Sequence, residues 1–394
     1  MAEPTRLPVT VVTGFLGAGK TTLLRHLLLH GGQRLAVLVN EFGELGIDGE
    51  LLAACGFCEA EEREGLLVEL ANGCLCCTVQ EEFLPTITRL LEQAGRLDGI
   101  VVETSGLALP EPLVAAFGWP EIRARTRVHA VVTVVDGEAL AAGHVVGDAE
   151  AVEAQRRADP SLDHLSAIEE LFDDQLRAAD LVLVSRADCI TPAALAAVVA
   201  DLRPRLRPGT PVLPMERGVV PPDLVLAGSD AAEAAFPSPP GSGREEPAHA
   251  DHRHDHGHDG AHEQHHDHAD HDGHDGNDGH DGHDGHEPHD HHDHSHVAMH
   301  AVVVRRAGAL ARPELEARLR QLIREHPVLR LKGRLRFGDH RLPLQIQAVG
   351  PRLECWFEGD AATAPGSGQP AGLELVVLGA AADAAQLETA CAAL

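Results

Sequence analysis

Short, almost unbroken apolar runs alternate with longer stretches of helical period over the first 225 or so residues. The runs are Val9–Thr13, Leu35–Asn40, Gly99–Glu103, Val128–Asp136, Leu181–Ser185 and Val212–Met215. Apolar positions at three- and four-residue intervals predict helices over Thr21–His30, Val79–Gln93, Ser166–Ala179 and Pro192–Leu202. A strand that lacks polar alternation is buried on both faces. The pattern therefore predicts an α/β fold, with a mostly parallel sheet flanked by helices.

The pattern then breaks. Pro237–Gly243 is a Pro/Gly/Ser linker, and from His249 to His300 the chain is dominated by His, Asp and Gly, with His-Asp-Gly repeats over His271–His286. Twenty of the 27 histidines lie in that tract. With so few apolar residues it cannot offset the entropy cost of folding, and disorder is expected there without metal. Strand pattern resumes at Ala301–Arg305. A helix over Arg312–His326 follows, then strands at Leu331–Phe337, Leu342–Val349, Leu353–Glu358 and Leu373–Leu378 and a helix over Ala382–Ala393. This β-α-β-β-β-β-α order predicts a small α+β domain. The expected division is 1–225, a P-loop nucleotide domain; 226–299, linker and tract; and 300–394, the α+β domain.

Composition narrows the function. Aromatics are 3% of the chain and tyrosine is absent, so Ala, Val and Leu must fill the core. A formal net charge of −29 argues against a nucleic-acid partner, which needs clustered Lys and Arg. No apolar run reaches the roughly 20 residues that span a bilayer, which argues against a membrane. Met1–Pro8 lacks the shape of a signal peptide. Of eight cysteines, three crowd into Cys74, Cys76 and Cys77, which suits metal or redox chemistry in a reducing compartment. A cytoplasmic protein is expected.

Gly14-Phe-Leu-Gly-Ala-Gly-Lys-Thr21 fits G-x-x-x-x-G-K-[ST], between a predicted strand and a predicted helix. Backbone N–H groups of such a loop cradle phosphate oxygens. Gly14, Gly17, Ala18, Gly19, Lys20, Thr21 and Thr22 are the candidate phosphate-binding residues. Lys20 would reach the β- and γ-phosphates, and the Thr21 hydroxyl would ligate Mg²⁺. Glu103-Thr-Ser-Gly106 ends a predicted strand, where ligands bind such sheets. Glu103 could hold Mg²⁺ or orient the attacking water, and the Gly106 N–H could meet the γ-phosphate. Ser185-Arg-Ala-Asp188 stands where GTPases commonly place Asn-Lys-x-Asp. Asp188 can accept the guanine N1 and N2 hydrogens, Ser185 is a poorer substitute for Asn, and the Arg186 stem can stack on the base. GTP is favoured over ATP.

Cys74-Leu-Cys-Cys77 precedes a predicted helix. Thiolates bind soft and borderline divalent ions, and a helix N-terminus favours the thiolate. The same cysteines also fit a buried structural cluster, or a redox pair of Cys74 with Cys77. Cys55 and Cys58 form a weaker loop pair. Asn40–Asp48 is Gly-rich and acidic, as a mobile switch loop would be, and Glu41 within it could report on Mg²⁺-phosphate or lend an oxygen to the transition metal. Lys20, Glu103 and Glu41 are the candidate catalytic residues. The histidine tract suits low-specificity cation binding, or else a solvated spacer.

Together GFLGAGKTT, NEFGELGIDGELL, ELANGCLCCTV and VVETSGLALPEPLVAAFGWPEI resemble the CobW family of metallochaperone GTPases. Val135–Gly137, Asp163–Gln175 and, more loosely, LRLKGRLRF with Cys355-Trp-Phe357 fit the same family. The resemblance implies a GTP-dependent protein that binds Co²⁺ through Cys76 and Cys77, with Cys74 a third ligand, and supplies it to cobaltochelatase in cobalamin biosynthesis. It also implies nucleotide roles for Gly17, Gly19, Lys20 and Thr21. A zinc-handling member of the family would share every motif, with Zn²⁺ as cargo and another metal-accepting enzyme as partner. From other classes, a His-rich metal-storage protein and a P-loop small-molecule kinase are the rivals.

Overall fold

The computed structural model describes residues 6–39, 67–69, 83–158, 168–227, 298–308, 310–338, 342–357 and 370–394. Its first sheet has seven strands: β1 Leu7–Thr13, β2 Leu35–Val39, β3 Leu67–Glu69, β4 Gly99–Glu103, β5 Thr126–Asp136, β6 Leu181–Ser185 and β7 Val212–Pro214. The order is β3-β2-β4-β1-β5-β6-β7, and every pairing is parallel. All six apolar runs of the sequence are strands. The seventh, β3, was not anticipated, because three residues are too few to display a period.

Helices α1 Lys20–His30, α2 Leu84–Glu92, α3 Pro110–Ala116, α4 Pro120–Arg123, α5 Gly137–Ala141, α6 Ala149–Ala158, α7 Ile168–Ala178, α8 Pro192–Leu202 and α9 Pro222–Val225 accompany this sheet. The helix expected over 79–93 is described from Phe83 onward. On one face Leu23, Leu24 and Leu27 of α1 pack with Leu224 and Val225 against Val12, Val37 and Val132. On the other, Ile87, Leu90 and Leu91 of α2 pack with Leu113 and Ile122 against Val11, Leu38 and Val102. Burial on both faces explains the unbroken apolar strands, and each enclosed Leu, Ile or Val contributes about 1.5–3 kcal/mol.

The second sheet is antiparallel. Its strands are β8 Met299–Ala307, β9 Val328–Arg336, β10 Leu344–Val349, β11 Arg352–Phe357 and β12 Gly372–Ala380, in the order β11-β10-β9-β12-β8. Helices α10 Arg312–Glu325 and α11 Ala384–Ala392 complete the expected β-α-β-β-β-β-α order. Alternate residues of β12, Leu373, Leu375 and Val377, are buried with Leu315, Leu319 and Leu387. That alternation marks a sheet whose two faces meet different surroundings.

Both sheets belong to one compact unit. They meet at the N-terminal ends of β5 and β6. Asp180, fully buried just before β6, accepts hydrogen bonds from the Val131 N–H at 2.8 Å and from Arg207 at 2.6 Å, and pairs with Arg352 of β11. Gln347 Nε2 lies 2.9 Å from His129 Nδ1, and Arg330 donates to the Leu226 carbonyl at 2.8 Å. Arg127 stacks on Trp356 at 4.3 Å and lies 3.6 Å from Glu354. Burial, then the positive charges of Arg330, Arg127, Arg352 and Lys332, hold the His129 imidazole well below its usual pKa and therefore neutral.

Candidate functional site

The loop from Gly14 to Gly19 leaves the C-terminal end of the central strand β1 and enters α1. This is the crevice where ligands of open α/β sheets bind. Gly14 has φ 137°, and a Cβ there would lie 2.1 Å from the Val134 carbonyl oxygen, so the loop can start its turn only with glycine. Gly17 and Gly19 also have positive φ, and Gly19 is the N-cap of α1. Such a backbone turns successive N–H groups inward, as an anion nest requires. Ala18 donates its N–H to Phe15 O at 3.1 Å, closing the turn.

Lys20 and Thr21 open α1 and face Glu103 at the end of β4. Lys20 Nζ donates to Phe15 O at 3.2 Å and lies 3.9 Å from Glu103 Oε1. The Thr21 hydroxyl donates to the same oxygen at 3.5 Å. A hydroxyl and a carboxylate side by side are hard oxygen donors, a set that fits Mg²⁺. Thr22 packs beside Gly218, whose Cβ, if present, would lie 2.6 Å from Thr22 Cγ2.

Gly106 lies against the phosphate loop. A Cβ there would come within 2.6 Å of the Leu16 nitrogen, so only glycine allows the two backbones this approach. Buried Gln175 of α7 fixes the segment by donating to Gly106 O at 3.0 Å and Ala108 O at 3.2 Å.

Across β5 the segment Ser185–Asp188 follows β6. The Ser185 hydroxyl is buried and donates to Val135 O at 3.1 Å. Asp188 lies 3.5 Å from Arg217 Nε. Arg186 has the left-handed φ of 52°; its guanidinium pairs with Asp136 and donates to Gly17 O at 3.3 Å, tying this segment to the phosphate loop. The other Asp136 oxygen caps α5 through the Glu138 and Ala139 N–H groups at 3.1 and 3.2 Å. Sequence reasoning assigned no role to Asp136 or Gln175. An Asp between an apolar run and a helix was a readable capping signal, whereas nothing local marked Gln175.

The structure thus brings together Gly14, Gly17, Ala18, Gly19, Lys20, Thr21, Glu103 and Gly106, with Thr22, Ser185 and Asp188 along the same edge. Glu41, Cys74, Cys76 and Cys77, like Cys55, Cys58 and the histidine tract, lie outside the described residues. Among the described residues no group of three or more His, Cys, Asp or Glu stands close enough to hold a metal ion. Burial pushes the Cys355 thiol up to about 12 and the Cys391 thiol to about 11, so neither offers a ready thiolate. No helix among the described residues is long and apolar enough to cross a membrane.

Residues 8–214 match the family described as CobW/HypB/UreG, nucleotide-binding domain, and 299–394 match the cobalamin synthesis protein cobW C-terminal domain. The chain is 39% identical over 380 residues to a protein of a Sinorhizobium species named zinc chaperone CobW, covering 96% of this chain and 94% of that one. It is 53% identical over 249 residues to the zinc chaperone CobW of Pseudomonas aeruginosa, covering 63% of this chain and 64% of that one. The solved Zn(II)-bound YjiA GTPase of E. coli aligns at 19% identity with a TM-score of 0.38, over 99% of both chains. With a P-loop on a parallel sheet, an acidic strand end beside it and matches over both sheets, the chain belongs to the CobW family of nucleotide-binding metallochaperones.

Proposed function

We propose that this chain is a GTP-hydrolysing carrier that delivers a borderline divalent cation to a metal-accepting enzyme in the cytoplasm, with zinc as its principal cargo. The names of its relatives support zinc ahead of the cobalt, and the cobaltochelatase acceptor, that the sequence resemblance put first. Residues 1–225 would form the nucleotide module, 226–299 the tract and 300–394 the second module.

One observation carries the reading. Val12, Glu103, Val39 and Glu69 stand in a single row across β1, β4, β2 and β3, at the edge where the phosphate loop begins. Cys74 follows Glu69 by five residues, a reach of at most about 18 Å. Glu69 and Glu103 are two strand spacings apart, about 10 Å. Glu41, just past Val39, and the cysteine motif, soon after Glu69, thus follow in sequence the strand ends at the edge that carries Lys20 and Thr21, which supports a shared site.

In this reading the Gly14–Gly19 backbone and Lys20 grip the phosphates, Gly106 N–H meets the γ-phosphate, and Asp188 reads the guanine edge. Thr21 and Glu103 hold Mg²⁺, which when bound neutralises charge on the phosphate oxygens. Glu41 and the segment after it answer to the γ-phosphate. Its loss on hydrolysis loosens the Cys74, Cys76 and Cys77 loop and releases the cargo. Linkage demands reciprocity: if GTP tightens the cation, the cation tightens GTP by the same factor.

The test is a competitive titration of the full chain with Zn²⁺ and Co²⁺, each with Mg²⁺-GTP and with Mg²⁺-GDP, following the thiolate charge-transfer absorbance of Co²⁺. Tighter binding with GTP, displacement of Co²⁺ by Zn²⁺, and loss of the band in Cys76→Ala and Cys77→Ala are expected. Equal affinities with the two nucleotides would end the gating reading.

A further inference from the structure

Two imidazoles outside the nucleotide site stand together on α1. His26 and His30 are one helical turn apart, with ring centroids 4.6 Å from each other and planes inclined by 25°. Each ring also touches a backbone carbonyl: His26 Nε2 lies 2.7 Å from Val220 O, and His30 Nδ1 lies 3.1 Å from His26 O. A carbonyl oxygen only accepts, so both of these nitrogens carry their hydrogens. That fixes the tautomers and leaves one lone pair on each ring, at His26 Nδ1 and His30 Nε2. A metal-binding imidazole shows this same arrangement, with its second nitrogen held by a carbonyl while the first faces the ion.

We infer that His26 and His30 form a two-imidazole site for a borderline divalent cation such as Zn²⁺, separate from the cysteine motif. Neutral imidazole suits Zn²⁺, Ni²⁺ and Cu²⁺, and histidines four apart on a helix share one face. The two rings are stacked here, so binding a shared ion requires exposed His30 to leave the His26 carbonyl and swing its Nε2 round beside His26 Nδ1, with water completing the coordination. The site joins α1, which carries Lys20 and Thr21, to the segment 216–220, whose Arg217 pairs with Asp188. A cation held here bears on both ends of the nucleotide site.

The histidine tract binds cations too, so the test must be site-resolved and run at buffered free Zn²⁺. Trypsin releases His26–Arg34 as one peptide containing these two histidines and no others. The full chain is treated with diethyl pyrocarbonate over a series of chelator-buffered Zn²⁺ concentrations, and modification of this peptide is read by mass spectrometry. The control is His26→Gln, whose Nε2 can keep the bond to Val220 O but which has no second nitrogen lone pair. Expected is protection of His30 in the native chain at a Zn²⁺ concentration tenfold or more below that needed in His26→Gln. Equal midpoints, or no protection of His30 in the native chain, overturn the site. Because the readout ignores nucleotide and the cysteines, the result stands apart from the test of the carrier reading.

Discussion

At one edge of the parallel sheet, where β1, β4 and β6 end, charges meet at longer range: Lys20, the first residue of α1, lies 3.9 Å from Glu103, the last of β4, and Asp188 lies 3.5 Å from Arg217. At the opposite edge, Asp180 is enclosed completely and takes donors from a backbone N–H and two arginines, one of them from the second sheet. Pairs at these longer separations, Lys20 and Glu103 included although both are buried, can exchange partners at smaller cost. A buried carboxylate with all its donors in place cannot, since losing any partner strands charge in a low dielectric. The comparison assigns change to the loop edge and makes the second sheet a fixed buttress at the other.

The sharpest way to break this comparison is to empty the fixed edge. Asp180→Ala leaves Arg207 and Arg352 facing each other without their shared carboxylate, and the expected loss is about 3–5 kcal/mol of stability by urea unfolding. A loss below 1 kcal/mol would mean that the second sheet is not anchored there. At the loop edge, Lys20→Ala should lower GTP turnover about 10²–10³-fold, roughly 3–4 kcal/mol of transition-state stabilisation. Its unfolding free energy should move less than that of Asp180→Ala. If Lys20→Ala proved the more destabilising of the two, the division of labour between the edges would fail.

Much of this was legible in the sequence, for identifiable reasons. Strands buried on both faces read as apolar runs, so Val9–Thr13 and Leu181–Ser185 could be placed directly, and the glycine spacing around Lys20 fixed the phosphate loop. The short helices α3, α4 and α9 were not legible, because four to seven residues give no period; each starts with proline in its first turn. The contacts of Asp180 were also hidden. Its partners lie 27 and 172 residues away, and local pattern carries no information about which arginine a lone aspartate will meet. For Arg186 the sequence suggested a role at the base. Its pairing with Asp136 and its bond to Gly17 O, which tie the segment after β6 to the phosphate loop, emerged only from the fold.

A smaller effect concerns pH. His129, at the fixed edge, has a folded pKa well below the ordinary 6.5, with burial the largest cause. A depressed histidine pKa means that the unfolded chain binds the proton first. Its contribution to stability is therefore complete above about pH 6.5 and declines as pH falls from there toward the folded pKa, by at most about 1.4 kcal/mol per pH unit. Glu354, raised by burial above its ordinary 4.5, acts with the opposite sign between 4.5 and its folded pKa: there the folded form holds the extra proton, and stability rises as pH falls. Replacing His129 with Gln should flatten the slope just below pH 6.5, measured as urea midpoints across a pH series. An unchanged slope would show that His129 titrates freely, and so that the contact between the sheets opens to water.

The smallest expected effect asks whether burial, or position at that edge, makes a pair rigid. Arg34 and Asp98 stand just before β2 and β4, at the same end of the sheet as Asp180, but their side chains remain 48% and 31% exposed. Asp98 accepts from the Arg34 backbone N–H, Nε and Nη2 at 2.9, 3.1 and 2.8 Å. The side-chain hydrogen bond from Arg34 is the leading cause that brings its pKa below the usual 3.8. The contribution is present above about pH 3.8 and lost as pH falls through the folded value. Water and salt screen such a pair, so Arg34→Ala should cost only about 0.5 kcal/mol at neutral pH, less in 1 M salt. Urea unfolding at low and high salt measures this. A cost approaching that of Asp180→Ala would mean that the edge itself, and not the enclosure of its charges, confers the rigidity.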